Sequence, residues 1–217
     1  MTDKRIAVLG LGQFGGALAR ELSTLGVEVL AVDRDPEQVQ LIRNDVSVAA
    51  VADVRDRDAL AELTSEPFDI AIVATGGSLE AAILATLHLK ELEVPQVWVE
   101  APNDDGAEVL RRVGADKVFS PEREAGRRLA QQLANPNMIE FLPITKGYGI
   151  CEVDAPMFMH HKTLEELDLR NTKGVAVIAI RGKESATLVP TAATRIEPGD
   201  VLSVVGRDED LANLRGQ

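Results

Sequence analysis

The sequence has very little sulfur or imidazole chemistry. Its 217 residues include a single cysteine, Cys151, and three histidines. One cysteine cannot form an internal disulfide, and cysteine alone cannot build a metal knuckle. Cys151 also stands in an otherwise apolar stretch, which is typical of a small core residue. The composition therefore predicts a reducing compartment.

Positive charge and long apolar runs are also scarce. The chain has 23 basic against 35 acidic residues, a net charge of -12, and no concentrated basic stripe. This excludes polymeric nucleic acid as an expected partner. No run approaches the roughly 18 apolar residues of a membrane helix, and the stretch after Met1 is too short for a signal-peptide core. We expect a cytosolic chain that is not inserted in a membrane.

The first two thirds of the chain alternate between two patterns. Short β-branched apolar runs, from "RIAVLG" to "KVFSPE", are separated by helical patterns such as "GGALARELSTLG" and "LEAAILATLHLKEL". Strands that are apolar on both faces suit a parallel sheet covered by helices. This α/β pattern predicts a Rossmann-type, doubly wound parallel sheet of about six strands. A further helix, "PEREAGRRLAQQLAN", leads to a stop at "NPN".

Beyond that stop the pattern changes. Five stretches, from "MIEFLPI" to "DVLSVVG", have the texture of antiparallel strands joined by tight turns. One short helix near "TLEELDL" and a last one at "DEDLANLRG" complete a small α+β lobe. The sequence thus predicts two domains, 1–134 with its terminal helix and 138–217.

A glycine motif follows the first predicted strand. Gly10, Gly12 and Gly15 form G-x-G-x-x-G directly before an amphipathic helix, the context in which this motif indicates a phosphate-binding turn. The first two glycines would allow a tight turn and close approach of backbone amides to phosphate, and Gly15 would let the helix pack near the strand. The alternative is a tight turn that binds no ligand.

Acidic residues end the next two strands. Asp33 is placed to accept both ribose hydroxyls of an adenosine, and it would repel a 2′-phosphate despite the neighbouring Arg34. Asp35 is the better candidate for capping the following helix. Asp53 would lie beside the adenine, although capping the next helix is an alternative. Thr75, with Gly76, ends the fourth strand and should line the same crevice.

These stretches together resemble a known family. "VLGLGQFGGALARELSTLGVEVLAVDRD", "IVATGGSLEAAILATLHLKELEVPQVWVEAPN", "LRRVGADKVFSPEREAGRRLA" and "LEELDLRNTKGVAVIAIRG" are similar to the RCK (regulator of conductance of potassium) subunits of the Ktr and Trk uptake systems, with TrkA-N and RCK-C (TrkA-C) domains. The resemblance implies a cytoplasmic regulator, peripheral at the inner face of the membrane through its partner. Homodimers would assemble into an octameric ring that gates a membrane potassium channel or transporter.

The resemblance also implies ligands and the residues that bind them. An adenine nucleotide (ATP, ADP or AMP) or NAD(H) would bind the first domain. Glu122 would bind Mg²⁺ or Ca²⁺ beside the phosphates at the dimer interface; the alternative is a first-turn glutamate that interacts favourably with the helix dipole. Cyclic di-AMP would bind the second domain at its dimer interface, near Arg170, Asn171 and the 177–180 backbone; the alternative for this segment is a turn and a β-strand that pairs across the dimer. The nucleotide-binding candidates are Gly10, Leu11, Gly12, Gln13, Phe14, Gly15, Asp33, Arg34, Asp53, Val54, Ala74, Thr75, Gly76 and Glu100.

Two positions depart from the Ktr pattern. Members that bind ATP commonly have arginine where Gln13 stands and often lysine where Glu100 stands. Each lost charge-assisted contact to a triphosphate would cost roughly 1.5 to 3 kcal/mol, a tenfold effect or more. The sequence therefore favours ADP, AMP or NAD(H) over a strong preference for ATP.

Two other functions remain open. One is an RCK regulator of another cation transporter, such as a cation/proton antiporter, which the sequence does not separate from a Ktr or Trk subunit because the ring's contact surface has no short motif. An NAD-dependent oxidoreductase needs a proton donor or acceptor near the nicotinamide. The only tyrosine, Tyr148, is predicted in a turn and the histidines are poorly placed. We therefore expect a regulator and not an enzyme.

Overall fold

A computed structural model describes residues 4–134, 138–182 and 186–214. The chain divides into two compact units, Met1–Glu122 and Arg123–Gln217. The predicted domain stop at Asn135–Asn137 lies outside the described residues.

The first unit alternates strands and helices, as predicted. Its six strands form one sheet in the order β3-β2-β1-β4-β5-β6, with every neighbouring pair parallel. This is the strand order of a doubly wound dinucleotide-binding fold. The elements are β1 (Arg5–Leu9), α1 (Gln13–Thr24), β2 (Glu28–Asp33), α2 (Pro36–Ile42), β3 (Val48–Val51), α3 (Arg57–Leu63), β4 (Ile70–Val73), α4 (Leu79–Glu91), β5 (Gln96–Glu100), α5 (Asp104–Val113) and β6 (Lys117–Phe119), and α6 (Pro121–Ala134) follows.

Helices cover both faces of this sheet because its central strands are apolar on both sides. In β1, Ala7 and Leu9 belong to one buried cluster, whereas Ile6 and Val8 belong to the other. β2 and β4 divide their side chains between the same two clusters. This alternation is the expected consequence of a strand pleat buried on both faces.

The second unit contains a five-stranded sheet in the order β10-β9-β11-β8-β7, and every neighbouring pair is antiparallel. This confirms the predicted small antiparallel α+β lobe. A 3-10 turn at Met157–Met159 follows the second strand. The other elements are β7 (Met138–Thr145), β8 (Tyr148–Asp154), α7 (Leu164–Leu167), α8 (Leu169–Lys173), β9 (Val175–Arg181), β10 (Ala186–Leu188), β11 (Val201–Arg207) and α9 (Asp208–Ala212).

The predicted single helix near "TLEELDL" is divided in two. Asp168 separates α7 from α8 and adopts a left-handed conformation with φ of 40°. Thr163 and Glu166 form a capping box at the start of α7. The Asn171 side-chain amide donates hydrogen bonds of 2.9 Å to both carboxylate oxygens of Asp168. Aspartate tolerates this conformation better than most residues because its short polar side chain forms such local bonds.

The reactivity of Cys151 tests whether the core of the second unit is packed as described. The residue is 1% exposed, and burial raises the pKa of its thiol to about 11. Because the thiolate is the reactive form, we expect a disulfide reagent at pH 8 to label the folded protein about 100-fold more slowly than the urea-unfolded chain. Unfolding should release one reactive thiol per chain, since the sequence has one cysteine. Rapid labelling of the folded protein would contradict this packing.

Candidate functional site

Two of the three motif glycines are required by contacts within the protein. Gly10 has φ of 99°, and a Cβ there would lie 2.1 Å from the carbonyl oxygen of Ala74. A Cβ on Gly15 would lie 1.9 Å from the carbonyl oxygen of Gly10. Both distances are far below van der Waals contact, so these two positions close the turn and seat α1 against the sheet.

Gly12 is different because nothing in the described structure approaches the place its Cβ would take. No atom lies within 4 Å of that position. Gly12 is also the N-cap of α1, and its helix has no side-chain cap. By contrast, side chains cap α2, α3, α4 and α5. The start of α1 therefore presents uncapped backbone N–H groups and a positive helix end, which is suited to an anion.

A cavity of about 420 Å³ opens beside this turn at the carboxyl ends of the central strands. It is lined by Gly10, Gly12, Asp33, Arg34, Asp35, Gln38, Ala52, Val54, Arg55, Ala74, Thr75, Gly76, Ser78 and Ala81.

Asp33 connects the first cavity to the glycine turn. One carboxylate oxygen accepts a hydrogen bond of 2.6 Å from the Leu11 N–H, and the other accepts one of 2.9 Å from the Asp35 N–H. These bonds fix a half-buried carboxylate whose remaining lone pairs can accept the two hydroxyls of a ribose. Asp35 caps α2 by accepting a hydrogen bond from the Glu37 N–H. The separate role predicted for Asp35 is thereby confirmed.

The carboxylate of Asp53 forms an ion pair with Arg55. The Arg55 guanidinium lies 2.6 Å from one carboxylate oxygen and 3.0 Å from the other. Hydrogen bonds from this side chain and from the Arg55 N–H lower the pKa of Asp53 to about 2. Arg55 and Val54 line the cavity, whereas Asp53 is not among its lining residues. Asp56, and not Asp53, caps the next helix.

A second cavity, of about 470 Å³, lies on the other side of the turn and shares Gly12, Ala74 and Gly76 with the first. Phe14, which lines it, packs its ring against that of Phe119 with centroids 5.4 Å apart. The residues that line it are Gly12, Gln13, Phe14, Gly15, Ala74, Gly76, Gly77, Glu100, Pro102 and Glu122.

Two carboxyl groups give the second cavity its charge. Glu100 is 8% exposed at the end of β5, whereas Glu122 is exposed in the first turn of α6. Burial raises the pKa of Glu100, and the charge of Glu122 raises it further. Within the part of the chain that the structure describes, no group of three or more His, Cys, Asp or Glu side chains is arranged to hold a metal ion.

Most of the predicted nucleotide-binding residues lie around these two cavities. Leu11 and Asp53 line neither cavity. The buried Leu11 donates its N–H to Asp33, and Asp53 is paired with Arg55, which does line the first cavity. The motifs gave no indication of several other lining residues. Arg55 had one available signal, since it follows β3 in a loop at the same sheet edge as the other loops. The additional residues are Asp35, Gln38, Ala52, Arg55, Ser78, Ala81, Gly77 and Pro102.

The second unit has a cavity of its own, with a volume of about 280 Å³. Arg170 and Val177 line it, together with the start of α7 and the 190–192 segment. Asn171 instead bonds Asp168.

These observations define a class of protein: a Rossmann-type nucleotide-binding domain followed by a small antiparallel domain. Family models agree with both parts, since residues 6–121 match the TrkA-N domain and residues 153–216 match the TrkA-C domain. Among the described residues, no helix has the length and apolar character needed to cross a membrane.

Curated relatives match almost the whole chain. The Ktr system potassium uptake protein A of Vibrio alginolyticus is 37% identical over 97% of this chain and 96% of its own length. The Ktr system potassium uptake protein C of Bacillus subtilis (strain 168) is 36% identical over 97% of this chain and 96% of its own length. The chain therefore belongs to the TrkA-domain family that contains the Ktr potassium uptake proteins, as its sequence motifs predict.

Solved structures support the fold. The GsuK channel bound to NAD superposes with a TM-score of 0.54 at 22% identity, over 99% of this chain and 38% of that chain. The TrkA-N domain of the inner membrane protein ybaL from Escherichia coli gives a TM-score of 0.53 at 17% identity, over 61% of this chain and 98% of that domain.

Proposed function

We propose that this chain is a nucleotide-binding regulatory subunit of a membrane potassium uptake system. The observation that carries the proposal is the uncapped start of α1 at Gly12, between two cavities and next to the fixed carboxylate of Asp33. An adenosine ligand fits this order, with its ribose on Asp33 and its phosphates at the helix end. The names of the Ktr relatives support a role in potassium uptake.

The side chains that line the two cavities favour a regulatory role over catalysis. Among the described residues, neither cavity is lined by a histidine, lysine, tyrosine or cysteine. A hydride-transfer enzyme commonly uses such a group to exchange a proton with its substrate. A bound nucleotide instead alters a distant surface when its affinity differs between two conformations. The proposed site residues are those predicted from the sequence, with Arg55 added and with Asp53 acting only indirectly, through its ion pair with Arg55.

The proposal extends to assembly and location. Homodimers of the chain, with domains 1–134 and 138–217, would form an octameric ring on the cytoplasmic side of a membrane potassium channel or transporter. Light scattering of the purified protein tests the assembly. A protein that stayed monomeric with and without nucleotide would contradict the proposed ring. Co-purification with a membrane subunit would separate a potassium transporter from a cation/proton antiporter as the partner.

Calorimetric titration of the ligand-free protein with ATP, ADP, AMP, NAD and NADH tests which nucleotide it prefers. We expect ADP or NAD(H) to bind at least as tightly as ATP, because Gln13 and Glu100 offer no positive charge to a terminal phosphate. The match to a channel whose structure was solved with NAD is consistent with a dinucleotide. A clear ATP preference that is lost on changing Glu122 but not Asp33 would contradict the expected selectivity.

Two further ligands belong to the proposal. Glu122 would provide one carboxylate to Mg²⁺ or Ca²⁺, so the remaining ligands would come from nucleotide phosphates or a second copy of the chain. Cyclic di-AMP would bind the second unit, where Arg170 and Val177 line a cavity. Titrations with each metal and with cyclic di-AMP test these two proposals separately.

A further inference from the structure

The carboxyl group of Glu100, at the end of β5, opens on the second cavity. The residue is 8% exposed, and none of the residues that the structure describes donates a hydrogen bond to its side chain. Other carboxylates in the same unit are bound: Asp33 accepts from two backbone N–H groups. Asp116 accepts bonds of 2.7 Å from the Val97 N–H and 3.0 Å from the Lys90 ammonium. The Glu100 oxygens are not among the fully buried atoms that lack a hydrogen-bond partner, so they face the cavity. Because no described residue donates to them, their hydrogen bonds come from whatever fills the cavity, water or a ligand.

The position of Glu100 indicates which part of a bound ligand would donate a hydrogen bond to it. Glu100 lines the second cavity, which shares Gly12 with the first. A ligand with its adenosine at Asp33 and its phosphates at Gly12 extends its other end into this second cavity. Glu100 therefore lines the cavity that would receive the distal group of the ligand.

The charges of the two cavities differ. The first is lined by two basic residues, Arg34 and Arg55, together with Asp33 and Asp35, whereas the described residues lining the second carry two carboxyl groups and no lysine or arginine. A third phosphate placed there would meet like charge in a partly buried setting, where the repulsion is weakly screened. A neutral group with N–H donors would instead satisfy Glu100.

From the position of Glu100 in the second cavity, beside Glu122 and with no basic residue among the described lining, we infer that Glu100 selects a ligand with a neutral, hydrogen-bond-donating distal group over a terminal phosphate or carboxylate. The carboxamide of an NAD-type dinucleotide is such a group. The inference rests on the proposed nucleotide-binding function and makes Glu100 a specificity-determining residue of that site.

The ligand side is tested by calorimetry in EDTA at neutral pH. NAD is compared with its deamidated form, in which a carboxylate replaces the carboxamide, and with ATP. We expect NAD to bind the unaltered protein about tenfold or more tightly than either anionic ligand, because both place negative charge against Glu100. Equal affinities for NAD and its deamidated form would overturn the inference.

The protein side uses two substitutions at one position. Glu100→Gln keeps an acceptor oxygen and removes the charge, so the affinities for ATP and deamidated NAD should rise about tenfold while that for NAD changes less than about threefold. Glu100→Leu also removes the acceptor, and NAD affinity should then fall by about tenfold. Glu62→Gln is the matched control, since Glu62 is exposed on α3 and is not among the residues lining either cavity.

The outcomes separate the two proposals. Unaltered selectivity in Glu100→Gln, with nucleotides still bound, would overturn the role of Glu100 and leave the proposed function standing. No binding of any nucleotide by the unaltered protein would overturn both. An equal change in Glu62→Gln would assign the effect to net charge and also overturn the inference. If Glu100→Leu fails to fold, as judged by circular dichroism, the comparison of Glu100→Gln with the unaltered protein decides.

Discussion

Gly15→Ala is expected to destabilise the first unit by about 3 kcal/mol or more, which corresponds to a fall in Tm of roughly 10 °C. The new Cβ would lie 1.9 Å from the carbonyl oxygen of Gly10, so α1 must move away from the sheet. Thermal unfolding followed by circular dichroism measures the effect.

Gly12→Ala is the matched control, and its expected effect is opposite in kind. Its Cβ would meet no atom within 4 Å, and its backbone, with φ of -60°, suits alanine. Stability should fall by less than about 1 kcal/mol, the scale of an N-cap change. The added methyl group would stand over the uncapped N–H groups, so nucleotide affinity should fall by about tenfold or more.

The pair separates the two uses of one motif. Equal loss of stability in both variants would show that Gly12 also serves packing. Unchanged nucleotide affinity in a well-folded Gly12→Ala variant would show that phosphate does not bind at the start of α1.

Asp33→Asn is expected to weaken nucleotide binding by about tenfold or more and to destabilise the first unit by about 1 to 2 kcal/mol. An asparagine can accept the hydrogen bond from only one of the two backbone N–H groups now bound, at Leu11 and Asp35. Its NH₂ group would face the other N–H, and the acceptor for a ribose hydroxyl would be lost. Calorimetry and thermal unfolding measure the two effects.

Asp53→Asn is the comparison for this substitution. It removes the same charge from the end of the next strand, but Asp53 is paired with Arg55 and does not line the cavity. We expect its nucleotide affinity to change by less than about threefold, since the exposed pair contributes little. A larger loss in Asp53→Asn than in Asp33→Asn would exchange the roles assigned to these two residues.

The fold was predictable because its signals are local. Apolar, β-branched strands such as Ile6–Leu9 reveal burial on both faces, and the order of strands and helices then leaves few topologies. The antiparallel lobe followed from its turns. The break at Asp168 was not predictable, because a left-handed aspartate depends on the hydrogen bonds that Asn171 supplies after folding.

The site was predictable in outline and not in detail. The motif located the turn, yet only coordinates show that Gly10 and Gly15 are constrained by neighbouring backbone whereas Gly12 borders open space. The Asp53–Arg55 pair also depends on the conformation of a loop. Glu100 is identified from the sequence as a departure from the family pattern, but its place in the second cavity beside Glu122 is a tertiary property.

The contrast between the two cavities gives the cleft a polarity. At one end the guanidinium groups of Arg34 and Arg55 balance the carboxylates of Asp33 and Asp35, and at the other the described lining has only the carboxyl groups of Glu100 and Glu122 as charged side chains. An elongated ligand with unlike ends has two ways to lie across Gly12, and these charges make the two ways unequal in energy. The cleft therefore fixes which end of a bound molecule faces β5 and α6, so a nearly symmetric ligand would bind without a unique orientation.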